Sequence, residues 1–430
     1  MRSPQTVLET LRKHAQKAHY QYERLYRNLY NPQLYLLAYQ NLYANKGSTT
    51  AGADGATLSG MSLKRIESLI KKLRDRSYQP HPARRQYIPK KSGNGLRPLG
   101  IPAADDKLVQ EAVRMILESI YEPTFQSTSH GFRPGKSCHT ALSQIQKTFT
   151  GVSWFVEGDI KGCFDNIDHH ILVNILKRRI KDEAFIDLIW KLLRAGYLED
   201  WMKHQTYSGT PQGSGVSPLL ANIYMNELDL FMEKLRAQFG KGDKRRFSND
   251  YVNANHHYAR TRERNAKKWN TMSEEERKDA KVMQKKLQAI LLSTPSREPM
   301  DPNYRRVLYV RYADDFLIGV IGNKADAEQI SEFLKQELNL TMSPEKTLIT
   351  HGHDKARFLG YDITISKNQA VKKTKGGVKR AYNGRVVLLL PKEKWMGKLQ
   401  EYRALNIQGW HGERNLDACG KERLAKQRTY

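Results

Sequence analysis

Two adjacent aspartates, Asp314 and Asp315, interrupt a run of β-branched, aromatic and other apolar residues that reads VRYADDFLI over residues 310–318. Both flanks have strand composition. The acids therefore fall in a tight hairpin between two buried strands. Neighbouring carboxylates repel each other and are costly to take out of water. A fold that keeps them there needs a divalent cation or strongly positive ligand to hold, or a local base such as Arg311 to neutralise them.

The chain is 430 residues long, with a formal net charge of +27. An apolar content of 39% with 27% charged residues would suit disorder, but 22 Tyr, 12 Phe and 6 Trp interleaved with Leu and Ile give it a core to bury. A basic excess this large points to a polyanionic partner, nucleic acid first and an anionic membrane surface second. Cys138, Cys163 and Cys419 are too scattered for a disulfide framework or a structural zinc site. No apolar run approaches a membrane span, and the amino terminus, MRSPQTVLETLRKHAQ, lacks a signal peptide's apolar core. The expectation is a soluble protein of a reducing compartment with no membrane partner.

Residues 5–46 read as mostly helical, with a new start at Pro32. The glycine-rich break 45–55 carries Lys46, which with nearby amides suits either phosphate or a plain connector. A helix over 62–74 follows, then a strand, a basic turn and a second strand over 84–102. That hairpin presents Lys90, Lys91 and Arg97 as phosphate contacts or as a solvated edge. Residues 105–121 have the stripe of a packed helix. The loop 127–142 carries Arg133 and Lys136, with His130 shaping it and His139 on a helix surface. Phe155, Val156 and Ile160 surround Asp159, at a predicted strand end, whereas Asp165 and Asp168 suit a helix start. One helical stretch is predicted over 170–195. A glycine-rich segment precedes a buried helix from Pro218. Residues 235–307 are polar and basic, including Lys244, Arg245 and Arg246, and read as a surface insertion with a helix over 274–292. A helix over 324–339, a strand in FLGYDITI and another from Val386 to Leu390 complete the pattern.

Three carboxylates on neighbouring strands, Asp159, Asp314 and Asp315, suit two divalent ions about 4 Å apart, the arrangement that serves phosphoryl transfer. Oxygen ligands favour Mg²⁺ over a soft metal.

The ordered blocks make the pattern specific. RPLGIP, HGFRPGKSCHTAL, EGDIKGCFDNIDH (157–169), SGTPQGSGVSPLLANIYMNELD, YADD (312–315), SPEKT and FLGYDI follow one another over roughly residues 25–400. In this the chain resembles group II intron-encoded reverse transcriptases with maturase activity, of bacterial and organellar introns. The resemblance implies an α+β right-hand polymerase: a helical amino-terminal extension (1–80), fingers (81–150), a palm with an antiparallel sheet on helices (151–235 and 308–390), a basic insertion (236–307) and the start of a thumb (391–430). It implies RNA-directed DNA synthesis by two-metal nucleotidyl transfer, with Mg²⁺ held by Asp159, Asp314, Asp315 and the Ile160 carbonyl, and Mn²⁺ as a substitute.

Carried over residue by residue, Lys90 and Arg97 meet the incoming triphosphate. Phe164 closes against a 2′-hydroxyl and so favours dNTPs, Gln212 lies beside sugar and base, and Lys346 meets the triphosphate or protonates pyrophosphate. Lys46, Arg133, Lys136, Lys244, Arg245 and Arg246 are the candidate RNA contacts. The implied partners are group II intron RNA, an RNA template with a DNA primer, target DNA in a full-length protein, and in some forms a second copy of the chain. The implied setting is a bacterial cytoplasmic ribonucleoprotein or an organellar matrix. The sequence stops near the thumb's first helix, without an HNH-type ending, so strand cutting is expected to be absent. The alternative reading is a maturase that binds RNA with little polymerase activity.

Overall fold

The computed structural model describes residues 2–45, 47–89, 95–160, 166–199, 202–204, 214–298, 300–337, 347–367, 371–374, 377–380 and 384–402. The protein is α+β, with a helical layer built largely from its first half and antiparallel sheet in its second.

The first part comprises α1 (Pro4–Ala15), α2 (Pro32–Tyr43), α3 (Leu63–Arg74), the strand pair β1 (Ala83–Pro89) and β2 (Leu96–Ile101), then α4 (Ala104–Tyr121) and α5 (Cys138–Thr148). Their starts follow from local chemistry. Ser3, Asn31, Ser62 and Ser137 accept backbone N–H groups at the starts of α1, α2, α3 and α5, and proline stands in the first turn of α1 and α2. The mostly helical stretch predicted over 5–46 holds two helices, the second starting at Pro32 as expected, and a short 3₁₀ turn at 26–30 lies between α1 and α2. α4 is buried over most of its length, polar positions included, and is the axis of the helical core, with Leu108, Val109, Ala112, Val113, Ile116 and Ile120 inaccessible to solvent.

Next come β3 (Trp154–Asp159), α6 (His169–Lys177), α7 (Glu183–Leu193), the short β4 (Tyr197–Glu199) and β5 (Met202–His204), and α8 (Ser217–Phe239). The single helix predicted over 170–195 is two. Asp182 caps the start of α7, accepting from the Phe185 amide, and its other carboxylate oxygen accepts from the Tyr26 amide at 2.8 Å. The break thereby docks the second helix on the amino-terminal layer. β4 joins β1 in parallel, giving the sheet order β2-β1-β4-β5.

Residues 236–307 hold α9 (Asn249–Lys268) and α10 (Glu274–Ser293), which pack on each other as a helical hairpin. Among their described residues Asn265 alone is buried, as expected for an insertion outside the central sheet. β6 (Arg306–Tyr312), β7 (Asp315–Ile321), α11 (Lys324–Glu337) and β8 (Leu348–His351) follow. Then come β9 (Ala356–Phe358), β10 (Tyr361–Ile365), β11 (Val371–Thr374), β12 (Gly377–Arg380), β13 (Val386–Leu389) and α12 (Lys392–Glu401).

The sheet that organises the site has the order β6-β7-β3-β8, all antiparallel. Side chains alternate across it. Val156, Phe316, Ile318 and Val320 face α8 and α11, while Phe155, Val310, Leu317 and Ile321 face α5 and the small sheet β13-β10-β9. Both faces are covered, which is why these strands read as continuous apolar runs. Among the described residues no helix is long and apolar enough to cross a membrane.

Candidate nucleotidyl-transfer site

β6 and β7 form the hairpin expected around the twin acids. Tyr312 pairs with Asp315, leaving Ala313 and Asp314 as a two-residue turn. Ala313 has φ of 57° and Asp314 is not in the positive-φ region, the pattern of a type II′ turn, which matches the twist of flanking strands. β3 lies on the other side of β7, in a register that sets Asp159 directly opposite Asp315. Tyr312, Asp315 and Asp159 therefore form one row across three strands, on the face toward α5. The Ile160 amide donates to the Asp314 carbonyl at 3.4 Å, so the end of β3 also touches the turn itself. All three predicted acids meet at one corner of the sheet.

Directly opposed acids have Cβ atoms about 4.5–5.5 Å apart and destabilise a bare sheet. Asp159 is 9% exposed, which sharpens that cost. The oxygen-only donor set fits a hard divalent cation. Among the described residues no group of three His, Cys, Asp or Glu side chains stands as a ready ligand cage.

Neighbouring residues explain why the corner is rigid. The loop before α5 docks along the outer edge of β6: the Arg311 amide donates to Thr128 O and the His130 amide to Arg311 O, both at 2.9 Å. A methyl group at Gly131 would overlap the backbone nitrogen of Ala313, so only glycine lets the loop come this close to the turn. Gly158 likewise makes room for the ring of Phe316. The Tyr312 hydroxyl is pushed up to about 12, chiefly by its hydrogen bond with Cys138 at the start of α5, with burial adding to it.

Beneath the turn, on the α8 face, lies a buried polar cluster. Arg311 and Asp229 both have inaccessible side chains and form a two-pronged ion pair, Nε to Oδ1 at 2.8 Å and Nη2 to Oδ2 at 2.6 Å. The Tyr309 hydroxyl donates to Asp229 Oδ1 at 2.9 Å. Burial, reinforced by the Asp229 charge, holds the Tyr309 hydroxyl well above its ordinary value. Sequence reasoning had offered Arg311 only as a counter-ion for the acidic turn and had passed over Asp229, Asn222 and Ser129. A signal was present: Asn222 and Asp229 are seven residues apart on one face of an apolar helix, and Arg311 stands inside an apolar strand.

Of the other predicted residues, Arg97 is exposed on β2, paired across the hairpin with Ile88. Lys136, Lys244 and Arg246 are near the surface, Lys244 and Arg246 fully so. Arg133 is not a surface cation. Its guanidinium turns inward to Glu122 and to the carbonyls of Gln126 and Ser129, because that carboxylate and two loop carbonyls need a donor. Arg245 is also turned inward, donating to Gly151 O at 3.0 Å, and burial lowers its pKa. Asp168 caps α6, as its place before a helix suggested, and His130 is enclosed within its loop. Lys46, Lys90, Phe164, Gln212 and Lys346 lie outside the described residues.

Residues 88–246 match the family model described as reverse transcriptase (RNA-dependent DNA polymerase). The chain is 46% identical over 396 residues to the group II intron-encoded protein LtrA of Lactococcus lactis subsp. cremoris, covering 91% of this chain and 65% of that protein. It is 40% identical over 386 residues to an uncharacterized 91 kDa protein in the cob intron of Schizosaccharomyces pombe, covering 87% of this chain and 46% of that one. With protein YkfC of Escherichia coli K12 it shares 34% identity over 388 residues, 86% of this chain and 88% of YkfC. The chain thus spans about two thirds of the Lactococcus protein's length. A sheet corner carrying three acids in the expected order, and likeness of this extent, establish that the chain belongs to the group II intron-encoded reverse transcriptase/maturase family.

Proposed function

We propose that this chain is an RNA-directed DNA polymerase that extends a primer 3′ end with dNTPs on an RNA template, and a maturase that binds group II intron RNA. The observation that carries the reading is the row in which Asp315 faces Asp159, with Asp314 in the adjoining turn. In this reading the sheet β6-β7-β3-β8 with α8 and α11 is the palm, spanning 151–235 and 308–390. Residues 81–150 supply the fingers, 1–80 the amino-terminal extension, 236–307 an insertion and 391 onward the start of a thumb.

Asp159, Asp314 and Asp315, with the Ile160 carbonyl, would hold Mg²⁺ as a pair of ions, with Mn²⁺ able to substitute. Bound there, such ions neutralise triphosphate charge and make the primer hydroxyl more acidic. The chain's own groups do the rest. Arg97, an exposed guanidinium on a strand, suits the incoming triphosphate beside Lys90. Phe164 offers bulk and no hydrogen bond where a ribonucleotide carries its 2′-hydroxyl. Gln212 is proposed to meet sugar and base, and Lys346 to meet the triphosphate or protonate the leaving pyrophosphate. Lys46, Lys136, Lys244 and Arg246 are the proposed RNA contacts, with target DNA as a further proposed partner. Bacterial and mitochondrial relatives support a cytoplasmic or organellar setting.

Primer extension on a long RNA template with dNTPs and Mg²⁺, run alongside intron RNA binding, tests the reading. Asp314→Ala should abolish extension and leave RNA affinity within about twofold, since it removes none of the cations proposed to meet RNA. Extension that survives the substitution would remove the acids from the chemistry. RNA binding by a parent protein that does not extend would leave a maturase alone.

A further inference from the structure

We propose that Arg311 is a positioning residue that braces the carboxylate turn from the opposite face of the sheet, with Asp229 fixing its orientation. The inference rests on the polymerase reading above.

Arg311 is adjacent to Tyr312 in β6, and alternation sends its side chain away from the acids, toward α8. Its five N–H donors have five acceptors. Two go to Asp229, and Nη2 also donates to Ser129 Oγ at 2.8 Å in the docked loop. Nη1 donates to Asn222 Oδ1 at 3.1 Å in α8 and to the Ala313 carbonyl at 2.8 Å in the turn. Asn222 completes the circuit by donating from Nδ2 to the Gly131 carbonyl at 2.7 Å. One planar group thus joins the strand, the turn, the helix and the loop.

Two features make this more than a structural ion pair. First, the Ala313 carbonyl belongs to a residue in the left-handed region, which an alanine adopts only when its surroundings hold it. Second, three of the five bonds go to groups other than Asp229, in directions that only a guanidinium fork supplies. A buried pair that merely fastened α8 to the sheet could be replaced by apolar residues of similar size. A brace on the turn could not, because the carbonyl it holds would lose its donor.

The test separates those outcomes. The triple variant Arg311→Met, Asp229→Leu, Tyr309→Phe removes the buried charges together with the hydroxyl that depends on them, and Arg311→Lys keeps the charge without the fork. For each, thermal unfolding, Mn²⁺ binding to the protein alone followed by electron paramagnetic resonance, and steady-state dNTP incorporation are measured on the folded fraction. The expected result is a triple variant with near-parental Tm, Mn²⁺ affinity weakened about tenfold or more, and a comparable fall in kcat with dNTP KM changed less than about twofold. Arg311→Lys should move the same quantities in the same direction. Return of Mn²⁺ affinity and kcat together with Tm in the triple variant would overturn the bracing role. If the triple variant does not fold, Arg311→Lys decides, and parental Mn²⁺ affinity and kcat in that variant would overturn it equally. Failure of the parent itself to bind Mn²⁺ in an Asp314-dependent way would remove the underlying polymerase reading, whereas a parent that binds and extends beside indistinguishable variants removes the brace alone.

Discussion

His130 is 2% exposed, with Nδ1 2.8 Å from Thr140 Oγ1 and Nε2 2.6 Å from Gln144 Oε1, while its amide holds the Arg311 carbonyl. Burial lowers its pKa below 6.5, Lys136 and Arg133 push the same way, and the Gln144 bond opposes them. The folded chain therefore favours the neutral ring, and the unfolded chain takes up the proton first. Stability from this residue is present above 6.5 and is lost as pH falls from there through the lowered folded value. Relative to His130→Gln, the parent should lose Tm between about pH 7.5 and about pH 5.5. A Tm difference that stays constant with pH would show that the ring does not titrate in this way. Glu157 and Asp106, whose pKa values burial raises, are common to both proteins and cancel in the comparison. At this scale the meeting of Asp159, Asp314 and Asp315 at one sheet corner was legible, because acids at apolar strand ends have few inexpensive folded roles. The inward turn of Arg133, and the role of Asp229, were not legible for the converse reason. Their meaning depends on a partner supplied by folding: Glu122 for one, and for the other Arg311, 82 residues away in sequence.

The hairpin α9–α10 is closed at its root. Phe247 bridges Arg297, the Ser248 amide donates to Ser296 O at 3.2 Å, and the Glu298 amide donates to Arg246 O at 3.0 Å. Its helices bury little, so the remainder of the fold draws few contacts from them. Replacing residues 249–294 by a short glycine-containing turn should change unfolding free energy by no more than about 1 kcal/mol, because the ends already meet. Chemical denaturation would reveal a larger loss if the hairpin buttresses the sheet. α10 was legible and α9 was not, because α9 is the more polar of the two and has few apolar residues to mark a face. The break between α6 and α7 was hidden too, since both flanks are apolar and the capping role of Asp182 is completed by Tyr26, far away in the chain. Strand order could not be read at all from local pattern. β3 lies between β7 and β8 because its apolar faces fit there.

A net charge of +27 is spread over a molecule whose proposed reaction centre is acidic, so in that reading attraction and chemistry are divided between surfaces. On α9, Arg260, Arg262, Arg264 and Lys268 are exposed. Changing these four to Gln should weaken RNA binding and flatten the log Kd against log salt plot by about 0.7 per lost contact to single-stranded RNA, with Tm little altered. An unchanged slope across the salt series would assign the charge of α9 to solvation. The chain's order also sets a timetable. The helical core draws its buried residues from 22–223, all of it synthesised before the sheet's other strands. Among the described residues, β3, the apolar strand ending in Asp159, finds its strand partners in β7 and β8, beginning about 150 residues later. At ordinary rates of synthesis that is a wait of roughly 10–30 s with both edges unpaired. A ribosome-bound intermediate would thus display its helical body to RNA while the strand of the proposed reaction centre is still lone and sticky, the point at which a chaperone would matter most.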